Sequence, residues 1–159
     1  MRQHIVMAVV LLLGCGDSNP TGAKEEFQEY IDQLADIGMP TRMTKITDLA
    51  ASFASFAEPK TDQLMLAELN YIILLIKPFI ADLQSVRIDD PELRTIHGKF
   101  VQGWKAFLVG CELFELSLRG GHNLAMAELG LESIVEGRML VDEYETDLVL
   151  YVESIGWEP

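Results

Sequence analysis

From position 93 to 118, apolar residues return at every third or fourth place: Leu93, Ile96, Phe100, Trp104, Phe107, Cys111, Phe114 and Leu118. That spacing follows the 3.6-residue turn of a helix and lays all eight on one face; a strand would alternate every second residue. The same period runs through four further stretches. Residues 23–37 align Phe27, Tyr30, Ile31 and Leu34, and residues 41–57 align Met43, Ile46, Leu49, Ala50, Phe53 and Ala57. Residues 61–87 align Met65, Leu69, Ile72, Ile76, Phe79 and Leu83, and residues 123–154 align Ile134, Val141, Tyr144, Leu148 and Tyr151. Five amphipathic segments joined by short connections predict an all-α fold. It is an up-and-down antiparallel bundle of four to five helices, with the two short N-terminal helices together forming its fourth wall.

Local signals mark the ends. Asp90-Pro91-Glu92 supplies an N-cap acceptor, a residue with no amide proton to lose at the first helical position, and an acid at the positive end of the dipole. Thr61 or Asp62 caps the third helix and Asn123 the fifth, while Gly120-Gly121 ends the fourth. Pro78 falls inside the third helix, removes one backbone bond, and predicts a local bend.

Ahead of the helices, residues 5–13 are continuously apolar, preceded by Arg2 and closed by Leu12-Leu13-Gly14-Cys15. The run is too short for a bilayer span of roughly 20 residues and has the layout of a secretory signal. Leu-x-Gly followed by Cys resembles the lipobox of bacterial lipoproteins, over residues 1–18 only; Leu13 is bulkier than the usual small residue at its position. The resemblance implies cleavage between Gly14 and Cys15, lipid on Cys15, and a protein held on a membrane of the bacterial cell envelope. Asp17 would be third, not second, in the mature chain, which favours the outer membrane. Three regions follow: a signal at 1–14, a lipidated Cys15 with a tether to residue 22, and the bundle at 23–159. The seven residues 16–22 reach about 25 Å when fully extended, so the bundle stays near its membrane.

Removing residues 1–14 takes away Arg2 and no acid, so the net charge moves from −13 to −14. Such a surface repels phosphate backbones and argues against nucleic acid as a partner. It is also repelled by anionic headgroups, leaving lipid as the means of attachment. With Cys15 carrying lipid, Cys111 has no partner for an internal disulfide. The remaining 145 residues suffice to build a core without one.

Four glycines recur at heptad spacing, Gly103 and Gly110 on the fourth helix and Gly130 and Gly137 on the fifth. Reflecting the hairpin about residues 120–121 brings Gly110 level with Gly130 and Gly103 level with Gly137. A mid-helix glycine costs about 1 kcal/mol against alanine, so four of them ask for a reason. One is a seam where two helices approach closely; the other is a backbone-floored groove for an acyl chain or a peptide helix.

The chemical groups are sparse. Cys111 lies in the apolar seam, where a thiol behaves as a small hydrophobe, and His97 is fourteen residues or about 21 Å away along the same helix. His97 sits at the edge of the core; with Met65, Met126 or Met139 it could ligate a haem, although these methionines read as core filling and no Cys-x-x-Cys-His occurs. A ferritin-like di-iron centre requires Glu-x-x-His, whereas Arg94 and Arg119 precede His97 and His122. Glu128, Glu132 and Glu136 form a like-charged column facing water, a conceivable site for a divalent cation or a basic partner. No cofactor is required by any of these groups. The pattern therefore predicts a non-catalytic, membrane-anchored bundle binding an envelope protein or peptide. A carrier or sensor of a small apolar ligand is the alternative, and a haem or metal redox bundle comes after it.

Overall fold

Capping side chains set the helix starts. Thr61 Oγ1 accepts from the Leu64 amide, Asp90 Oδ1 from Leu93 and Asn123 Oδ1 from Met126. The computed structural model describes residues 22–54 and 61–157. Cys15, Gly14 and the tether up to residue 21 lie outside the described residues. Among those described there are five helices and no strand: α1 (Gly22–Asp36), α2 (Met39–Ala54), α3 (Asp62–Ser85), α4 (Pro91–Arg119) and α5 (Leu124–Ile155). The all-α bundle expected from periodicity is the fold observed.

Boundaries agree with the sequence signals to within two residues wherever both ends are described. Helix α2 starts at Met39 rather than at 41, so Pro40 occupies its first turn, where a missing amide proton costs nothing. Helix α3 runs through Pro78, which lies on its exposed side. The turn after α4 is tight because Gly121 and His122 both adopt left-handed backbone, φ 75° and 64°.

The core is built on α3 and α4. Phe27, Leu34, Ile76, Phe79, Leu83, Leu93 and Phe100 are fully buried, and Phe79 meets Trp104 edge-on at 5.0 Å between ring centroids. Helix α5 runs antiparallel along α4, and α2 lies along α3. Arg42 bonds Asp82 at 2.6 Å and stands over the Phe79 ring, and Phe53 reaches Phe114 on α4.

The two short helices do not share the fourth side of the bundle. Helix α1 instead closes one end. Phe27 packs on Tyr151 and Trp157, Tyr30 on His97, and Gln33 exchanges two hydrogen bonds with the backbone of Arg87. The Glu26 carboxylate accepts from the Asp90 amide. The start of α1, the 86–90 connection and the end of α5 thus form a common base. At the opposite end lie the 120–123 turn and the start of α3, tied by His122 Nε2 to Asp62 at 3.0 Å. In consequence α5 is unevenly covered. Its later half meets α4 and α1 and buries Tyr144, Leu148 and Tyr151; before Tyr144 its only buried residues are Gly130 and Gly137.

Candidate functional site

The four glycines stand in pairs across α4 and α5. A methyl group placed on Gly103 would lie 2.8 Å from the Gly137 carbonyl oxygen and 2.8 Å from Val141 Cγ2. On Gly137 it would lie 2.6 Å from the Gly103 oxygen and 3.0 Å from the Phe107 amide nitrogen. At Gly110 it would meet Ile134 Cγ1 at 2.5 Å and the Gly130 oxygen at 2.7 Å, and at Gly130 the Gly110 oxygen at 3.0 Å. Backbone faces backbone at both levels, leaving no room between the helices for a chain or a peptide.

His97 is buried and holds a bond on each ring nitrogen. Nε2 lies 2.9 Å from the Leu83 carbonyl, which can only accept, so this nitrogen carries the proton. Nδ1 is then the acceptor for the Tyr30 hydroxyl at 3.2 Å, and Tyr30 in turn accepts from the Tyr144 hydroxyl at 3.0 Å. Burial lowers the His97 pKa, partly offset by the Leu83 bond, and burial raises that of Tyr30. The relay keeps three polar groups satisfied where α1, α4 and α5 meet, and it occupies both nitrogens a metal would need. The sequence placed His97 at the core edge; its partners, 67 positions away in one case, have no local signature.

Cys111 is a free, buried thiol whose pKa is pushed up to about 12, first by burial and then by the neighbouring Glu112 charge. At neutral pH it is protonated and a poor nucleophile. His122 is exposed and engaged with Asp62. No group of three or more His, Cys, Asp or Glu side chains suited to a metal ion occurs among the described residues.

Helix α5 carries the molecule's most distinctive surface. Leu124, Leu131, Val135 and Met139 are 70, 56, 51 and 59% exposed, all on the side turned away from α4. Met139 and Met126 are thus surface residues and not core filling, because among the described residues no helix covers this half of α5. Beside the apolar row runs the acidic column Glu128, Glu132 and Glu136, exposed and without an ion-pair partner among the described residues. Leu131, Val135 and Met139 share an open face with Glu132, Glu136 and Glu143. The acidic column was visible in the sequence. The sequence signal for the apolar row is the i, i+4, i+8 spacing of Leu131, Val135 and Met139, the first two of which directly precede Glu132 and Glu136.

Helix α3 is long and apolar enough to cross a membrane, with a mean hydropathy of 1.8 over its most apolar stretch. Its inner seam, Leu69, Ile72, Ile76, Phe79 and Leu83, is buried against the bundle, while Leu64, Tyr71 and Leu74 are exposed.

Compared with protein-family models, curated proteins and solved structures, the chain matches none of them.

Proposed function

We propose that this protein is a lipoprotein of the bacterial cell envelope, anchored through Cys15, whose helical bundle binds an envelope protein or peptide without catalysing a reaction on it. The anchor half of the reading rests on Leu12-Leu13-Gly14-Cys15 behind a short apolar run. The binding half is carried by one observation, the row of large apolar side chains left bare along the uncovered half of α5. Contiguous exposed apolar surface on a folded domain marks a contact site more often than chance scatter does. The missing acid at the second mature position favours the outer membrane, and the net charge, −13 for the full chain and −14 after cleavage, disfavours nucleic acid. A carrier of small apolar ligands would use the glycine pairs as a groove floor, but they are filled by each other's backbone.

The anchor is tested by changing Cys15→Ala in cells, fractionating them and supplying a palmitate analogue. Wild type takes up the label and stays with the membrane; the variant takes up none and loses its mature mass. A variant that remains membrane-bound at the wild-type mature mass, with an unlabelled wild type, overturns the anchor.

A further inference from the structure

Two parallel rows occupy the bare half of α5. Leu131, Val135 and Met139 succeed one another every four residues, about 6 Å apart along the axis, and Glu128, Glu132 and Glu136 do the same beside them. Leu124 extends the apolar row to about 22 Å, roughly four turns of helix. The whole of α5 carries eight carboxylates against one cation, Arg138.

Charge decides between the occupants such a face could take. An anionic bilayer would be repelled by the acidic column. A second copy would set glutamates against glutamates across the contact. Position gives the same answer. Residue 22, where the tether enters, belongs to the base: Lys24 reaches toward Gly156 and Phe27 packs on Trp157. Leu131 lies 24 residues before Ile155, about 36 Å further along α5, so a bundle held by Cys15 presents this face away from its point of attachment.

We infer that the outer face of α5 docks a cationic amphipathic helix of a partner protein. The partner's apolar residues lie on Leu131, Val135 and Met139, and its Lys or Arg side chains meet Glu128, Glu132 and Glu136. The mode is that of a helix laid on an apolar stripe, with the charges fixing register and orientation. This inference rests on the reading of the bundle as a protein-binding module. The exposed row on α3 has no adjoining charge column, so nothing on it specifies an occupant.

The test uses the full-length protein in phosphatidylcholine nanodiscs, with empty nanodiscs as blank. It is titrated with a fluorescent amphipathic helix of Leu and Lys, about 18 residues long to match the row, and with its Leu and Glu counterpart. The Lys peptide should bind saturably and more weakly in high salt, and the Glu peptide should not bind. The variants Leu131→Ser with Met139→Ser, and Glu132→Gln with Glu136→Gln, should each weaken binding by about tenfold or more while keeping the native helical circular-dichroism spectrum, since all four side chains are exposed. Absence of binding by the Lys peptide, or equal binding by wild type and both variants, overturns the inference. So does a dimer in sedimentation that Leu131→Ser with Met139→Ser dissolves. Photo-crosslinking in the envelope from position 131 against position 74 separates this failure from that of the broader reading. Adducts from 131 are expected; adducts from 74 alone remove this face and keep a protein-binding bundle, and adducts from neither remove both.

Discussion

His97 is neutral in the folded protein because its ring is buried and Nδ1 already accepts from Tyr30. In the unfolded chain it titrates near its ordinary value of 6.5. Above that pH both states are neutral and the group is silent. As the pH falls below it, the unfolded chain takes up a proton that the folded chain resists, so stability is lost from about 6.5 downward toward the depressed folded value. The loss is at most about 1.4 kcal/mol per pH unit for this one group. Denaturant melts of wild type and His97→Gln between pH 7.5 and 5 isolate it, since every carboxylate is common to both proteins. The variant should be less stable at pH 7.5, having broken the relay, but should decline less steeply toward pH 5. Parallel acid limbs would show that His97 is protonated at no cost. That His97 belonged to an inward-turned row was legible in its spacing from Val101 and Trp104. That Nδ1 would be bonded by Tyr30, itself bonded to Tyr144, was not, because Tyr30 comes to it from α1, 67 positions away in the chain.

Between α4 and α5, contact is set by what is missing from four positions. Gly137→Ala would drive a methyl to 2.6 Å from a backbone oxygen, and Gly110→Ala to 2.7 Å from another. Neither obstacle can rotate away, so the helices must separate along their length. Overpacking of this kind costs about 1–3 kcal/mol. Gly98, also on α4, meets nothing within 4 Å of an added methyl. Gly98→Ala should therefore stabilise by ~0.4–1 kcal/mol, by restricting the unfolded chain. Urea melts of the three variants give opposite signs, and stabilisation by Gly137→Ala or Gly110→Ala would reject a tight contact. The pairing was legible because a short turn makes the hairpin antiparallel, and counting back from it sets the register. The course of α1 was not. Phe27, Tyr30, Ile31 and Leu34 say that one face of it is buried, but not against which neighbour. Whether it lined the side or closed the end was decided by contacts from Glu26 and Gln33 to the 86–90 connection. The bare half of α5 follows from that choice, and so it too was hidden.

Taken whole, the chain carries a net charge of −13, and the ion pairs among the described residues are few and superficial. Lys99 bridges Glu143 and Asp147, and Lys77 bridges Glu112, but exposed pairs contribute about 0–1 kcal/mol each. Their charges are within 4 Å, where salt screens them least, whereas the repulsion among unpaired acids acts over longer distances. Shortening the Debye length from about 30 Å at 0.01 M salt to about 8 Å at 0.15 M should therefore raise stability. The column Glu128, Glu132 and Glu136 contributes to this repulsion at i,i+4 spacing, roughly 0.2–0.5 kcal/mol for each adjacent pair. Replacing all three by Gln should stabilise the protein by up to about 1 kcal/mol in low salt, with the gain fading as salt is added. If the column serves a cationic partner, the same triple substitution must move two measurements in opposite directions, raising the melting temperature while weakening the Lys peptide. A stability cost retained at a binding face is the expected trade. Unchanged or lowered stability in 0.01 M salt would show that these glutamates are not in repulsion, and would leave their row without an energetic signature of its own.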